Sequence, residues 1–251
     1  MKIRQNIPNA LTCGNLLCGC LAIAKVFEGN LAMASCLVGI ALVLDFFDGF
    51  VARMLQVASP IGKDLDSLAD MVTFGVVPGF MMFKLIGIAY MLTMAGPDNS
   101  AIATGSKTFP LQYLALIIPV FSCIRLAKFN NDTRQTESFI GLNTPSNAMV
   151  ICSFPLILQY QPGMHFMVNT ITSVWFLAIF TVVMSFMLVS ELPFFSLKVK
   201  NLGWSDNKLR FILVGSSVAL LVALHFAAVP FIILLYILIS IVNNIFLKKK
   251  V

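Results

Sequence analysis

Residues 45–70 read DFFDGFVARMLQVASPIGKDLDSLAD. Five of the chain's eight aspartates fall in this stretch, and long apolar runs lie on both sides of it. Charge is most costly in such surroundings, so the acids need a physical reason to be there. Asp45 and Asp48 stand at i, i+3, with Ala52 at i+7, and share one helical face. Asp66 and Asp70 stand at i, i+4, with Gly62 one turn earlier on the same stripe. Two antiparallel helices joined by the short turn between them can point four carboxylates at one another.

The rest of the chain says what those helices lie in. Of its 251 residues, 59% are hydrophobic and 11% charged, and the mean hydropathy is +0.91. A soluble domain carries about 25% charged residues, so this composition reads as an all-α, polytopic membrane bundle. Spanning strands in an open sheet would leave backbone groups unpaired in lipid. Apolar runs predict eight spans, near 10–27, 31–54, 64–91, 109–129, 146–161, 168–190, 210–227 and 229–247. The last two are separated by little besides Pro230, which suits a tight helical hairpin. The opening MKIRQNIPN is too polar to read as a cleaved signal peptide.

With the N-terminus in the cytoplasm, 14 of the 17 Lys and Arg fall on the cytoplasmic side. Lys25, Lys84 and Lys107 are the three on the other. This follows the positive-inside rule and places the acidic stretch at the cytoplasmic face of an inner (cytoplasmic) membrane. It also accounts for the net charge of +6 without a nucleic-acid partner, and the terminal LKKKV reads as a membrane-surface anchor. Cys13, Cys18 and Cys20 have no CxxC spacing and no nearby histidine. They read as small buried helix-packing residues.

Unpaired, four carboxylates would repel and resist desolvation. One or two divalent cations resolve this, and oxygen ligands without His or Cys favour Mg²⁺, Mn²⁺ or Ca²⁺. Gly49 and Ala52 let a ligand approach the helix backbone, and Arg53 supplies a positive fork suited to phosphate. Metal, phosphate and arginine together are equipment for phosphoryl transfer. A structural ion network fits less well, because the four acids have one arginine among them. A cation pathway lacks matching acids in other spans. Asp64, about 200° around the helix from Asp66, reads as a first-turn carboxylate.

The residues Asp45, Asp48, Gly49, Ala52, Arg53, Gly62, Asp66 and Asp70 spell D-x2-D-G-x2-A-R-x8-G-x3-D-x3-D without departure. This resembles the signature of the CDP-alcohol phosphotransferases. The resemblance implies a six-helix catalytic core over residues 1–195, with residues 196–251 as an appended hairpin and basic tail. It implies a homodimer and two divalent cations, Mg²⁺ or Mn²⁺, on Asp45, Asp48, Asp66 and Asp70, with Asp70 as general base. It also implies a CDP-linked donor against Gly49, Ala52, Arg53 and Gly62. Pro8, Asn9 and Thr12, which precede and open the first span, are candidates for helix capping and for the nucleotide site.

Three further stretches resemble the serine-using members of that family: IPNALTCGNLLCG (7–19), DLDSLADMVTFGVVPG (64–79), and RLAKFN with FIGLNTPSNA (125–130 and 139–148). They imply transfer of the phosphatidyl group from CDP-diacylglycerol to L-serine, giving phosphatidylserine and CMP. Arg125, Lys128 and Asn130 are the candidates for the serine carboxylate, and Asp64 and Glu137 are weaker candidates for its ammonium. The polar loop 131–144 could close over the acceptor. A sibling enzyme taking glycerol 3-phosphate is the near alternative, and it would need a denser basic pocket. Asn143 departs from relatives that often carry proline after the Gly-Leu pair.

Overall fold

The computed structural model describes residues 2–57, 59–94, 110–131, 138–195 and 204–246. Lys107, Arg134, Glu137, Lys198, Lys200 and the three terminal lysines lie outside the described residues, as do residues 132–137 of the 131–144 loop.

Two long helices open the chain, α1 (Lys2–Phe27) and α2 (Leu31–Leu55). Gln56, in the left-handed region at φ 53°, stops α2 and gives its N–H to the Ala52 and Arg53 carbonyls. Ser59 then caps α3 (Pro60–Asp70), accepting from the Gly62 N–H at 3.0 Å, with Pro60 in the first turn, where a missing N–H costs nothing. Directly after Asp70 the helix widens into a π turn, Met71–Val76, before α4 (Val77–Met94). Pro78 explains the widening: it has no N–H for the Phe74 carbonyl, and the Val77 N–H bonds back to Val72 instead.

A 3₁₀ turn (Pro110–Leu116) leads into α5 (Ile117–Asn131). Then follow α6 (Thr144–Tyr160), α7 (His165–Ile171), α8 (Val174–Val189), α9 (Trp204–Leu224) and α10 (Ala228–Phe246). The fold is all-α. The extended pairing among the described residues is one three-residue ribbon, β1 (Ser138–Ile140) antiparallel to β2 (Pro193–Phe195).

The bundle centres on α1, α2 and the π turn. Gly19 of α1 leaves room for the Thr73 hydroxyl, and Gly79 lets Pro119 approach so closely that a Cβ would lie 2.7 Å from its ring. The outer faces are apolar and exposed: Phe166 is 76% and Trp175 72% accessible. Outward hydrophobes with inward polar groups are the arrangement a bilayer selects.

Among the described residues, five helical stretches are long and apolar enough to cross a membrane, six if the bent pair α7–α8 (74°) counts as one span. The sequence predicted eight. The difference is partly length: α6 has 17 residues, about 25 Å at 1.5 Å per residue against a core of about 30 Å. It is partly continuity, because Asn207–Asn244 is one 38-residue apolar stretch. His225, at φ 51°, breaks that stretch, and residues of α9 and α10 (Leu213 to Val218, Ile232 to Tyr236) then face one cavity. The hairpin is therefore made at His225–Ala227, while Pro230 sits harmlessly in the first turn of α10. Gln161 holds this turn, donating to the Leu224 carbonyl at 2.9 Å and accepting from the Ala227 N–H at 3.1 Å.

Three expectations change. Pro8, Asn9 and Thr12 lie inside α1, which starts at Lys2, and do not cap it. Asp64 falls beyond the first turn of α3 and is exposed. Of the six cysteines only Cys152 is buried; Cys13, Cys20, Cys36 and Cys123 are exposed, because against lipid a small apolar thiol gains nothing from facing inward.

Candidate active site

Each of three helices brings one part of the site. Near the end of α2 lie Asp45 and Asp48, and α3 contributes Asp66 and Asp70. α3 packs on α1, so α1 supplies the polar side chains that hold the acids. Thr12 Oγ1 donates to Asp48 Oδ2 at 2.6 Å, with the Pro8 carbonyl 3.1 Å away. One turn further along, Asn15 Nδ2 donates to Asp70 Oδ1 at 3.2 Å.

Asp45, Asp48 and Asp66 each offer a carboxylate oxygen, all within 4.8 Å of one another. Asp70 stands beside this trio, within hydrogen-bonding reach of Asp45. No cation pairs with these acids at 4.0 Å or less among the described residues. Three or four hard oxygen donors at such separations, with no nitrogen or sulfur ligand, suit a divalent cation such as Mg²⁺ or Mn²⁺. They fit poorly as a bare cluster.

Beside the acids opens a cavity of about 220 Å³. Pro8, Asn9, Thr12, Asp48, Gly49, Ala52, Gly62 and Asp66 line it, with Val57, Ser59 and Lys63. A Cβ at Gly62 would stand 3.1 Å from Ser59 Oγ and 3.2 Å from Asn9 Oδ1, and one at Gly49 3.3 Å from Arg53 Nη1. These two glycines keep the cavity open between α1, α2 and α3. Six of the seven residues expected around the nucleotide thus share one cavity; Arg53 lies over Gly49, exposed.

The three residues expected at the serine carboxylate differ in setting. Arg125 is 4% exposed, its Nε donating to the Leu142 carbonyl at 3.2 Å and its guanidinium 5.3 Å from the centre of the Phe129 ring. It has no carboxylate within 4.0 Å among the described residues. A buried cation without a matching anion is costly. Lys128 is exposed. Asn130 is occupied: its Nδ2 donates to Ser67 Oγ at 2.8 Å, and its carbonyl accepts from Lys63 Nζ at 3.0 Å. It latches α5 to α3. Asn143 caps α6 by accepting from the Ser146 N–H at 2.9 Å, which stabilises the start of that helix.

Sequence reasoning missed Asn15 and Lys63 as site residues. Asn15 left a signal: an amide inside an apolar span, three residues after Thr12 and so on the same face. Lys63 read as a membrane-surface charge.

The comparisons agree with this geometry. The family model for CDP-alcohol phosphatidyltransferases matches residues 5–187, which include every residue of the acidic cluster and the cavity. The chain belongs to the CDP-alcohol phosphatidyltransferase family. It is similar to the CDP-diacylglycerol–serine O-phosphatidyltransferase of Bacillus subtilis, 32% identical over 188 residues, covering 75% of this chain and 89% of that one. The enzyme of the same name from Helicobacter pylori strain J99 is 30% identical over 246 residues, covering 97% and 93%. An archaetidylserine synthase of Methanothermobacter thermautotrophicus is 29% identical over 158 residues, covering 62% and 60%. As a CDP-alcohol phosphatidyltransferase the chain is a multi-pass membrane transferase of phospholipid biosynthesis, in a family that acts on CDP-diacylglycerol and uses divalent metals. The family match ends before β2 and the α9–α10 hairpin, whereas the Helicobacter relative aligns over nearly the whole chain.

Proposed function

We propose that this protein transfers the phosphatidyl group of CDP-diacylglycerol to the hydroxyl of L-serine, releasing CMP. The observation that carries this reading is the pairing of two sites at one end of the bundle. One is the acid-rimmed cavity, and the other is Arg125, a buried guanidinium with no carboxylate beside it among the described residues. The first suits a metal-bound diphosphate, and the second suits an acceptor that carries its own carboxylate. The serine-transferring relatives named above support the same acceptor.

Asp45, Asp48, Asp66 and Asp70 would hold two divalent cations, Mg²⁺ or Mn²⁺, which when bound supply charge neutralisation to the diphosphate. Gly49, Ala52 and Gly62 admit the nucleotide, with Pro8, Asn9 and Thr12 forming the opposite wall and Arg53 reaching the phosphates. Asp70 takes the proton of the serine hydroxyl. The serine oxygen forms a bond to the β-phosphorus, the bond from that phosphorus to the bridging oxygen breaks, and CMP leaves with the electron pair. Arg125 orients the serine carboxylate. Lys128, exposed one turn on, gathers anions at the surface.

The donor's acyl chains stay in lipid while serine and CMP exchange with water. We place this end of the bundle at the cytoplasmic face of the inner membrane, in accord with the basic residues Arg53, Lys63, Arg125 and Lys128 there. Eight crossings follow if α6, α8, α9 and α10 each span. In this reading residues 1–195 are the catalytic unit, residues 196–251 the appended hairpin, and the working form is a homodimer.

The test is CMP release from CDP-diacylglycerol in detergent with serine, with glycerol 3-phosphate or with neither, each with Mg²⁺, Mn²⁺ or excess chelator. Release that needs both serine and a metal is expected. Release driven by glycerol 3-phosphate instead would assign the chain to a different acceptor, and full activity in chelator would remove the metal from the mechanism.

A further inference from the structure

Asn15 is completely buried. Its amide N–H donates to Asp70 Oδ1 at 3.2 Å, while its own Oδ1 has no hydrogen-bond partner among the described residues. The side chain is not simply misplaced. The Thr73 hydroxyl donates to the Asn15 main-chain carbonyl at 3.3 Å, and Gly19, one turn along α1, packs directly on Thr73. The helix is therefore fixed against the π turn that follows Asp70. A buried carbonyl oxygen held this firmly without a donor calls for a partner from outside the chain.

We infer that Asn15 selects the acceptor: its Oδ1 receives the ammonium of an amino alcohol whose hydroxyl is presented to Asp70. The inference rests on the reading of Asp70 as the base and of serine as the acceptor, and it adds the ammonium ligand and the acceptor's chemical class. The two receiving oxygens belong to one hydrogen-bonded pair. Whichever Asp70 oxygen takes the hydroxyl, they are separated by at most the 3.2 Å bond plus the widths of one amide and one carboxylate, about 2.3 Å each from standard bond lengths. Two donors on adjacent carbons, about 3 Å apart in a gauche rotamer, bridge such a gap with one ordinary hydrogen bond at each end. A 2-amino alcohol has this spacing. A hydroxyl with no neighbouring ammonium leaves Asn15 Oδ1 unmatched, and a phosphate brought to the same place would set acceptor against acceptor at Asn15 Oδ1 and anion against anion at Asp70. Asn15 thus does two things with one amide: its N–H holds Asp70 through Oδ1, and its carbonyl tests for the positive charge beside the acceptor hydroxyl.

The readout is the ratio of kcat/KM for serine to that for 3-hydroxypropanoate, which keeps the hydroxyl and carboxylate and lacks the ammonium. Asn15→Leu is expected to lower this ratio about ten-fold or more, the range for one charge-assisted hydrogen bond, with the donor KM within about two-fold. Asn15→Asp retains a carbonyl-type acceptor but places a second anion against Asp70. It should lose kcat and keep the ratio. A merely structural or orienting role would lower kcat in both variants and leave both ratios at the wild-type value; that result overturns the inference. A variant too slow for turnover is titrated with serine and with 3-hydroxypropanoate in the presence of CMP, and the same contrast in binding is required. Failure of the underlying reading has a different signature: wild-type protein that releases no CMP with serine refutes the acceptor before any variant is made.

Discussion

The hydroxyl of Thr12 lies 2.6 Å from Asp48 Oδ2, across 36 residues of sequence. It fixes one member of the acidic trio from a neighbouring helix. Partners of this kind, which orient a metal ligand without touching the metal, are worth about 10–100-fold in metal affinity or activity. Thr12→Val, nearly isosteric, should raise the half-saturating Mg²⁺ concentration by about ten-fold, and Thr12→Ser should restore it. An unchanged Mg²⁺ titration in Thr12→Val would remove Thr12 from the site.

Asp70→Asn keeps the size of the side chain and removes its capacity to accept a proton. Turnover should fall by about 10²–10⁴, the range for a general base, while the KM for CDP-diacylglycerol changes little. Single-turnover CMP release is the measurement. Near-normal rates would mean that another group takes the proton.

Gly62 keeps α3 clear of Asn9, and a Cβ there would sit 3.2 Å from Asn9 Oδ1. Gly62→Ala should raise the donor KM several-fold, and Gly62→Leu should abolish donor use, with serine affinity unaffected in the alanine variant. If the larger side chain left donor KM unchanged, the nucleotide would have to bind elsewhere.

Arg125→Ala should raise the serine KM by at least about ten-fold and leave the donor KM within about two-fold, because loss of a charge-assisted pair costs about 1.5–3 kcal/mol. Arg125→Lys should not restore it. An ammonium lacks the planar fork that reaches both the Leu142 carbonyl, now 3.2 Å from Nε, and a carboxylate. An Arg125→Ala enzyme with normal serine KM would leave this buried cation as packing alone.

Gln161 concerns stability rather than chemistry. Its amide holds the α9–α10 turn through two hydrogen bonds, to Leu224 and Ala227, at the end of α6 away from the acids. Gln161→Leu should cost about 1–3 kcal/mol, seen as a Tm about 2–12 °C lower in detergent. The serine-dependent rate at low temperature should stay within two-fold. A collapse of activity without a change in Tm would connect the hairpin to the site by a route other than packing.

By itself the sequence determined the helical class, the membrane setting and the acidic motif. Each of these is a local property. A run of apolar residues satisfies its backbone only as a helix in lipid, and spacings of three and four place Asp45 with Asp48 and Asp66 with Asp70 on single faces. Chain reversal at His225 was harder to read: a positive φ at a non-glycine residue has no local signature, and Pro230 drew attention to the wrong position. What the tertiary structure alone decided is which helix serves the acids. Thr12 meets Asp48 and Asn15 meets Asp70 across 36 and 55 residues, because α3 packs on α1. Likewise Asn130 is drawn into a latch with Ser67 and Lys63, while Arg125 meets no carboxylate among the described residues. Such pairings depend on the angle and depth at which helices meet, which periodicity along one helix does not encode.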